Sequence, residues 1–312
     1  MRTILVPLSW SDDLGQFAKF LPDDVRLNSH WSIQSINEGD ALGLCCESIR
    51  DLDALREFKN IEVLSFTGTG ISNVLELPIV QGRSLTLCNI RDYASVDVAE
   101  HAIALMFGLA KRLAEGENAI RSGSWSTGAP WGRRLLGKTL GLVGLGSIGS
   151  EVAQRARALG MEVVYWSRNQ HPNMELQLGI SYVSFAQVFE LSDFVSLHLA
   201  LNEQTKGIVG KQQLRAMKQD SFLINTARGG LIEIEALLRV LRSGQIAGAG
   251  LDVFEEEPLP PTHELAKLHN VLLSPHVGAA TSEGILRSRE ECLLNIVHYL
   301  RGQPRNVVRA GR

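Results

Sequence analysis

Short apolar runs alternate with segments of helical period along most of the chain. Up to residue 90, they predict strands at 3–6, 41–45, 61–66 and 85–88, with helices between them at 14–20, 49–58 and 73–80. After residue 139, strands are predicted at 140–143, 163–166, 193–199, 222–225, 248–253 and 271–274, with helices at 150–159, 211–218, 233–242 and 263–268. This alternation predicts an α/β fold with two Rossmann-like, doubly wound domains built on parallel sheets.

Two long helical patterns suggest how the domains are divided. The pattern at 95–113 is almost continuously apolar, which favours a helix buried between two domains. Glu100 and His101 within it are interpreted as a polar crossing of that interface rather than a catalytic pair. The stretch 116–134 is expected to be extended. A last helix at 281–301 precedes a short strand at 306–308, and its return to the N-terminal part would make one domain discontinuous. The predicted domains are 1–94 with 283–312, and 95–282.

A glycine-rich loop follows the predicted strand at 140–143. Gly144, Gly146 and Gly149 have the spacing GxGxxG, and a helix and a second strand follow. Gly144 allows the tight turn, Gly146 lets the backbone approach a pyrophosphate, and Gly149 lets helix and strand pack closely. The positive end of the helix then receives the pyrophosphate. The order of elements predicts dinucleotide binding rather than an ordinary glycine-rich turn.

A second glycine loop, 66–70, also follows a predicted strand and precedes a helix. It is either a tight turn or an anion cradle in which the amides of Thr69 and Gly70 hold a substrate carboxylate. The local spacing leaves both interpretations open.

The composition indicates the cellular compartment and excludes some classes of partner, but it does not identify the reaction. The net charge of −3 gives no electrostatic reason to expect nucleic acid or an anionic membrane as partner. The four cysteines show neither metal-ligand spacing nor a disulfide framework, which suits a reducing compartment. A strand-like run follows Met1 at once, and the most apolar helical stretch, 102–110, is too short to span a bilayer. A soluble, cytoplasmic protein without a metal is expected.

Three charged residues follow apolar strands, where the carboxyl ends of a parallel sheet form a crevice. They are Arg228, Glu257 and His276. A carboxylate beside an imidazole favours the imidazolium, a general acid, and an arginine fork binds a carboxylate in bidentate fashion. Together they would suit reduction of a 2-keto acid by hydride from a nicotinamide. Each alone is equally compatible with a structural role, and spacing does not prove that the three meet.

Several motifs in a fixed order resemble the D-isomer-specific 2-hydroxyacid dehydrogenases. They are Gly-Leu-Gly-Ser-Ile-Gly (144–149), Asn-Thr-Ala-Arg-Gly-Gly (225–230), Leu-Asp-Val-Phe-Glu-Glu-Glu-Pro (251–258) and Ser-Pro-His-Val-Gly-Ala-Ala-Thr (274–281). Val-Ala-Glu-His (98–101) and Gly-Thr-Gly (68–70) match as well.

The resemblance implies a role for each matching residue. Arg228 would bind the substrate carboxylate and carbonyl, His276 would be the acid/base, and Glu257 would orient it and help it hold its proton. Thr69 and Gly70 would help to bind the substrate, together with Arg228 and His276. The implied cofactor site comprises Gly144, Gly146, Ser147, Ile148, Gly149, Ser167, Arg168, Leu199, Thr205, Thr226, Ala227, Arg228, Asp252, His276 and Gly278, with Asp252 bonded to the nicotinamide amide. A homodimer is also implied.

The residues after the second cofactor strand depart from the NAD-preferring pattern. At Ser167 such relatives usually carry an acidic residue that binds the ribose 2′-hydroxyl, whereas a hydroxyl followed by Arg168 would accept a 2′-phosphate. NADP is therefore the preferred cofactor and NAD a possible one, unless Arg168 is only a solvated surface charge. Trp10, Arg91 and Tyr93 are either walls of the substrate pocket or packing residues.

Two functions from different classes follow. The first is NAD(P)H-dependent reduction of a small 2-keto acid to a D-2-hydroxy acid, of the glyoxylate or hydroxypyruvate type, with His276 as general acid. The alternative is a cofactor-sensing binding protein like the co-repressors of the same fold. The absence of a long polar tail or basic segment counts against the alternative.

Overall fold

The computed structural model describes residues 1–29, 40–68, 72–125 and 132–311. The chain forms two compact units, one comprising Met1–Ala94 and Ser282–Arg312, the other Ser95–Thr281. Each unit is built on a predominantly parallel sheet with helices, so the predicted fold class is confirmed.

The N-terminal part of the first unit alternates strands with short helices. These are β1 (Arg2–Leu5), α1 (Leu14–Phe17), β2 (Val25–Asn28), β3 (Ala41–Cys46), α2 (Ala54–Glu57), β4 (Val63–Phe66), α3 (Ser72–Leu75), α4 (Pro78–Gln81) and β5 (Thr86–Cys88). The single helix predicted at 73–80 is wrong, because Leu77 precedes a proline and adopts extended angles of φ −68° and ψ 131°. Pro78 then opens α4, where its missing N–H costs nothing.

The second unit carries the longer elements. These are α5 (Ser95–Lys111), α6 (Leu113–Arg121), β6 (Thr139–Val143), α7 (Ser147–Ala158), β7 (Glu162–Trp166), α8 (Pro172–Leu178), β8 (Ser181–Tyr182), α9 (Phe185–Leu191), β9 (Phe194–Leu197), α10 (Lys211–Ala216), β10 (Phe222–Asn225), α11 (Ile234–Arg242), β11 (Gly248–Leu251) and β12 (Val271–Leu273). The helix predicted at 263–268 is only a 3-10 turn at Glu264–Lys267.

The extended excursion predicted at 116–134 is wrong over its first part, which belongs to α6. Arg112 adopts the left-handed region at φ 55°, which ends α5 and starts a second helix. The side chains of α6 stay unburied, and ion pairs at helical spacing, Arg112–Glu115 and Glu117–Arg121, support it instead.

The first unit also contains the C-terminal segment of the chain. It consists of α12 (Ser282–Leu300) and β13 (Val307–Arg309). Cys292 of α12 donates its thiol proton to the carbonyl of Ser65 in β4, at 3.1 Å. The strand β13 pairs with β5 in antiparallel fashion and is the exception in an otherwise parallel sheet of order β13-β5-β4-β3-β1-β2.

The sheet of the second unit has the order β12-β11-β10-β9-β6-β7-β8, with every pairing parallel. Alternate residues of a central strand enter separate cores on its two faces: Leu142 packs with α5 and α7, whereas Val143 packs with α9 and α11. Both faces are therefore covered, as a parallel sheet requires. Among the described helices, none has the length and apolarity needed to cross a bilayer.

Candidate active site

The candidate site lies at the edge of the second unit where the parallel strands end. The chain runs from β6 outward through β7 and β8, then returns to the other side of β6 at β9. Ligands of open α/β sheets bind at such a reversal of strand order. The loops after β6 and β9 are in contact there, since a Cβ built on Gly144 would lie 2.6 Å from the carbonyl oxygen of His198.

The glycine loop has the geometry that a dinucleotide needs. Gly144 adopts φ +105°, and its amide donates to the carbonyl of Trp166 at 2.8 Å. A Cβ on Gly149 would overlap the carbonyl of Gly144, whereas a Cβ on Gly146 would meet nothing within 4 Å. The space beside Gly146 and the positive end of α7 at Ser147 and Ile148 together fit a pyrophosphate.

Ser167 and Arg168 lie directly after β7. Ser167 is buried, and its hydroxyl donates to the carbonyl of Asn169 in the same loop. Arg168 is exposed, and no carboxylate of the described residues lies within ion-pair distance of it. Among the described residues this leaves an unpaired cation two residues beyond the end of β7, whose Trp166 carbonyl accepts from the glycine loop.

The loop after β9 holds a neutral histidine. His198 is mostly buried, its Nε2 lies 2.9 Å from the hydroxyl of Ser196, and burial lowers its pKa to about 4. The Leu199 side chain reaches the glycine loop, at 3.0 Å from a Cβ built on Gly144. Thr205 donates its hydroxyl to the carbonyl of Ala200 at 2.7 Å, so it closes the turn that follows.

Asn225, at the end of β10, shapes the loop that carries Arg228. Its side chain is fully buried, donates to the carbonyl of Arg228 at 2.9 Å and accepts from the amide of Ala227 at 3.0 Å. The Arg228 guanidinium donates to the carbonyl of Ala227 at 2.6 Å. The hydroxyl of Thr226 is buried and has no hydrogen-bond partner among the described residues. A buried polar group is costly when unsatisfied, so this hydroxyl suits a polar group of a ligand.

His276 and Glu257 form a pair. Nδ1 of His276 lies 2.7 Å from Oε2 of Glu257, and Oε1 of Glu257 accepts from the amide of Phe254 at 2.9 Å. The His276 side chain is 51% exposed. Because an ionised carboxylate only accepts hydrogen bonds, Nδ1 carries a proton in this pair and Nε2 is the nitrogen available to a substrate.

A close approach of two backbones joins the Arg228 loop to the Glu257 loop. A Cβ built on Gly229 would overlap the carbonyl group of Phe254 and the amide nitrogen of Glu255. Glycine is therefore required for this packing. It connects the loop of Arg228 to the segment that positions Glu257, and through Glu257 to His276.

Asp252, directly after β11, lies beneath the loop of His276. It is 1% exposed, and its carboxylate accepts from the hydroxyl of Ser274 at 2.6 Å and from the amides of Val277 and Gly278 at 3.0 and 2.8 Å. Nε2 of His101 is 3.3 Å away. Burial acts to raise the pKa of Asp252, but these hydrogen bonds outweigh it and lower the pKa below its usual value.

The remaining sequence predictions have mixed outcomes. Thr69 and Gly70 lie outside the described residues. Trp10 is fully buried and donates Nε1–H to Glu47 at 2.7 Å, so it packs in the first unit's core and does not line a pocket. Arg91 is exposed, and Tyr93 packs against the same core as Trp10.

Four residues with local roles at this edge were not among the predicted site residues. They are His101, Asn225, Gly229 and Ser274. All four lie within the motifs quoted above, but the motifs do not reveal what each side chain contacts. Glu100 does not contact the loop of His276 and instead pairs with Arg155 of α7 at 3.2 Å.

Comparisons with known proteins identify several relatives of this chain. A family model described as "D-isomer specific 2-hydroxyacid dehydrogenase, NAD binding domain" matches residues 103–278. The glyoxylate reductase of Thermococcus litoralis is 36% identical over 284 residues, which cover 88% of this chain and 85% of that protein. The hydroxypyruvate reductase of Thermotoga maritima is 38% identical over 235 residues, covering 74% and 75%. A crystal structure of a glyoxylate reductase from Paecilomyes thermophila aligns with a TM-score of 0.77 at 30% identity and covers 98% of each chain. The chain belongs to the D-isomer-specific 2-hydroxyacid dehydrogenase family.

Proposed function

We propose that the protein reduces a small 2-keto acid to a D-2-hydroxy acid, with glyoxylate and hydroxypyruvate as the first substrates to test. The observation that carries the proposal is the His276–Glu257 pair, which is joined to the Arg228 loop at the same sheet edge as the glycine loop. The relatives named above are glyoxylate and hydroxypyruvate reductases, which supports the same substrate class.

The roles of the reacting residues follow from charge and geometry. A bound nicotinamide cofactor supplies the hydride that reaches the carbonyl carbon. Arg228 binds the carboxylate and polarises the carbonyl, and Nε2 of His276 donates the proton to its oxygen. Glu257 accepts a hydrogen bond from Nδ1–H of His276, which orients the ring so that Nε2 is available to the substrate.

The residues that hold the cofactor are proposed along the sheet edge. Gly144, Gly146, Ser147, Ile148 and Gly149 would take the pyrophosphate. Leu199 and Thr205 would border the adenosine, and Thr226, Ala227, Asp252 and Gly278 the nicotinamide. The buried hydroxyl of Thr226, which has no hydrogen-bond partner among the described residues, supports the last assignment.

The variant His276→Asn tests the general acid. Asparagine offers no titratable proton, so kcat for the keto acid should fall by about 10²–10⁴-fold. The dissociation constant of NADPH, measured by fluorescence, should stay within about twofold of the wild-type value. His269→Asn, which changes an exposed histidine elsewhere in the unit, serves as the control. A kcat close to that of the wild type would refute the role of His276.

We propose that NADPH is the preferred cofactor and that NADH is used less well. The support is the cation of Arg168, which has no carboxylate of the described residues within ion-pair distance, and a hydroxyl at Ser167 where a carboxylate would repel a 2′-phosphate. The kcat/KM for NADPH should exceed that for NADH, and Arg168→Leu should lower only the former. Arg301→Leu, at an exposed arginine of the other unit, should change neither. A higher kcat/KM for NADH in the wild type would overturn the preference.

We further propose that the protein is cytoplasmic, because its four cysteines are free and buried, as suits a reducing compartment. We also propose that it forms a homodimer through the second unit. The dimer is supported by the exposed apolar side chains of α6, which buries no residue in the single chain. Leu113 and Ile120 are 59% and 55% exposed, and Trp125 just beyond the helix is 88% exposed. Light scattering should give twice the chain mass, and Ile120→Glu should lower it. A monomeric wild-type protein at micromolar concentration would contradict this.

The alternative of a co-repressor-like binding protein gains no support from relatives that are named as reductases.

A further inference from the structure

His276 is held in a backbone conformation that it would not adopt freely. Its φ is +55°, in the left-handed region, where a side chain crowds the following carbonyl. Such a conformation persists only where the surroundings impose it. The contacts around His276 should therefore include residues whose purpose is to hold this loop.

Asp252 holds the loop on both sides of His276. Its backbone carbonyl accepts from the amide of His276 at 2.8 Å. Its carboxylate accepts from the next two amides, Val277 and Gly278, and from the hydroxyl of Ser274. The loop keeps its shape as long as this buried carboxylate stays in place.

His101 is the basic group that secures this carboxylate. In the described part of the chain, it is the one basic side chain within 4 Å of Asp252, with Nε2 at 3.3 Å from Oδ1. Nε2 also lies 2.8 Å from the hydroxyl of Ser274. Because Ser274 gives its single proton to Asp252, it accepts from His101, and Nε2–H is the donor.

The same face of α5 contacts the rest of the loop. Asp97, one turn before His101, accepts a hydrogen bond from the hydroxyl of Thr281. A Cβ built on Gly278 would lie 3.6 Å from His101 and 3.7 Å from Val98. This face of α5 therefore lies against the segment 274–281 from its first residue to its last.

We propose that His101 is a positioning residue for the His276–Glu257 pair, acting through Ser274 and the carboxylate of Asp252. It touches neither His276 nor Glu257, so it does not act on the reacting atoms. Its loss leaves a buried carboxylate without its basic neighbour, and the left-handed turn at His276 then competes with other conformations. The inference rests on the proposed function for its kinetic consequence, but its structural consequence can be measured without any reaction.

The test compares His101→Leu with His101→Gln. The amide nitrogen of glutamine can occupy the place of Nε2 and donate the same hydrogen bond, whereas leucine fills the space without a donor. His101→Leu should lower kcat about tenfold or more, with KM for the keto acid within about threefold. His101→Gln should keep kcat within about threefold of the wild type. Glu100→Gln, at the neighbouring position of α5, is the control.

Hydrogen exchange of a peptide spanning 274–281, measured without cofactor, gives the readout that needs no turnover. Exchange at Val277 and Gly278 should be about tenfold faster in His101→Leu and close to wild type in His101→Gln. If His101→Leu does not fold, Ser274→Ala removes the bridging hydroxyl and should shift exchange in the same direction. Unchanged exchange in the soluble variant, or equal losses in the leucine and glutamine variants, would overturn the inference. A wild-type protein that reduces no 2-keto acid would instead refute the proposed function.

Discussion

The close approach of Gly229 to the backbone at Phe254 and Glu255 allows a sharp test of how the site is assembled. The variant Gly229→Ala adds one methyl group where no side chain is available to move aside. The φ of Gly229 is not in the left-handed region, so the substitution brings no backbone penalty of its own. Any effect must come from pushing the Arg228 loop away from the loop of Glu257.

The size of the effect follows from the overlap. Carbon atoms in contact sit about 3.5 Å apart or more, and the added Cβ would fall short of this by more than about 1 Å. Overpacking of this kind costs about 1–3 kcal/mol, and the upper end applies because both neighbours are backbone. A displacement of about 1 Å between catalytic groups can cost about 10²-fold in rate. We therefore expect kcat/KM for the keto acid to fall about 10²-fold, with little change in NADPH binding.

We compare Gly229→Ala with Gly230→Ala by steady-state kinetics, cofactor fluorescence and urea unfolding. The neighbouring glycine is a matched control, since the three atoms nearest to its added Cβ all belong to the Leu201 side chain, the first at 3.1 Å. Leu201 is 42% exposed, so its side chain has room to shift toward solvent, and Gly230→Ala should stay near wild type. If folded Gly229→Ala keeps kcat/KM within threefold of the wild type, the contact does not set the geometry of the site.

Three further predictions concern stability. Burial lowers the pKa of His198 to about 4, whereas the same histidine in the unfolded chain has a pKa near 6.5, so the unfolded state binds more protons between these values. The free energy of unfolding should therefore fall by about 2 kcal/mol from pH 7.5 to pH 5. His198→Gln should remove this contribution in urea titrations. Burial raises the pKa of Cys88 to about 11, and all four cysteines are buried, so iodoacetamide at pH 7.5 should label the unfolded but not the native protein; rapid native labelling would contradict this burial. The Arg289 side chain is 14% exposed and forms ion pairs with Asp13 and Glu47 at 2.6 and 2.8 Å. Arg289→Met should therefore lower the free energy of unfolding in urea by about 2–3 kcal/mol. The control Arg301→Met, at an exposed position, should lower it by under about 0.5 kcal/mol.

The hydrophobic pattern predicted those elements whose residues directly reflect how deeply they are buried. The central strands β6, β7 and β10 are continuous apolar runs because a parallel sheet is covered on both faces, and the observed bounds lie within one residue of those predicted. The glycine loop was predictable for a similar reason, since the turn, the open space and the close packing each depend on one residue without a side chain. Elements with weaker patterns were missed: β2 and β8 are short edge strands, and α6 buries none of its side chains.

The amino-acid sequence by itself determined the α/β class, the glycine loop and the residue types at the strand ends. It left open whether Trp10 lines a pocket, and it did not show that His101 secures Asp252 or that Gly229 contacts the backbone at Phe254. These contacts join residues 25 to 151 positions apart. A periodic pattern shows which face of an element is buried but not what covers it. Only the tertiary structure decided that, because parallel strands bring distant loops to one edge.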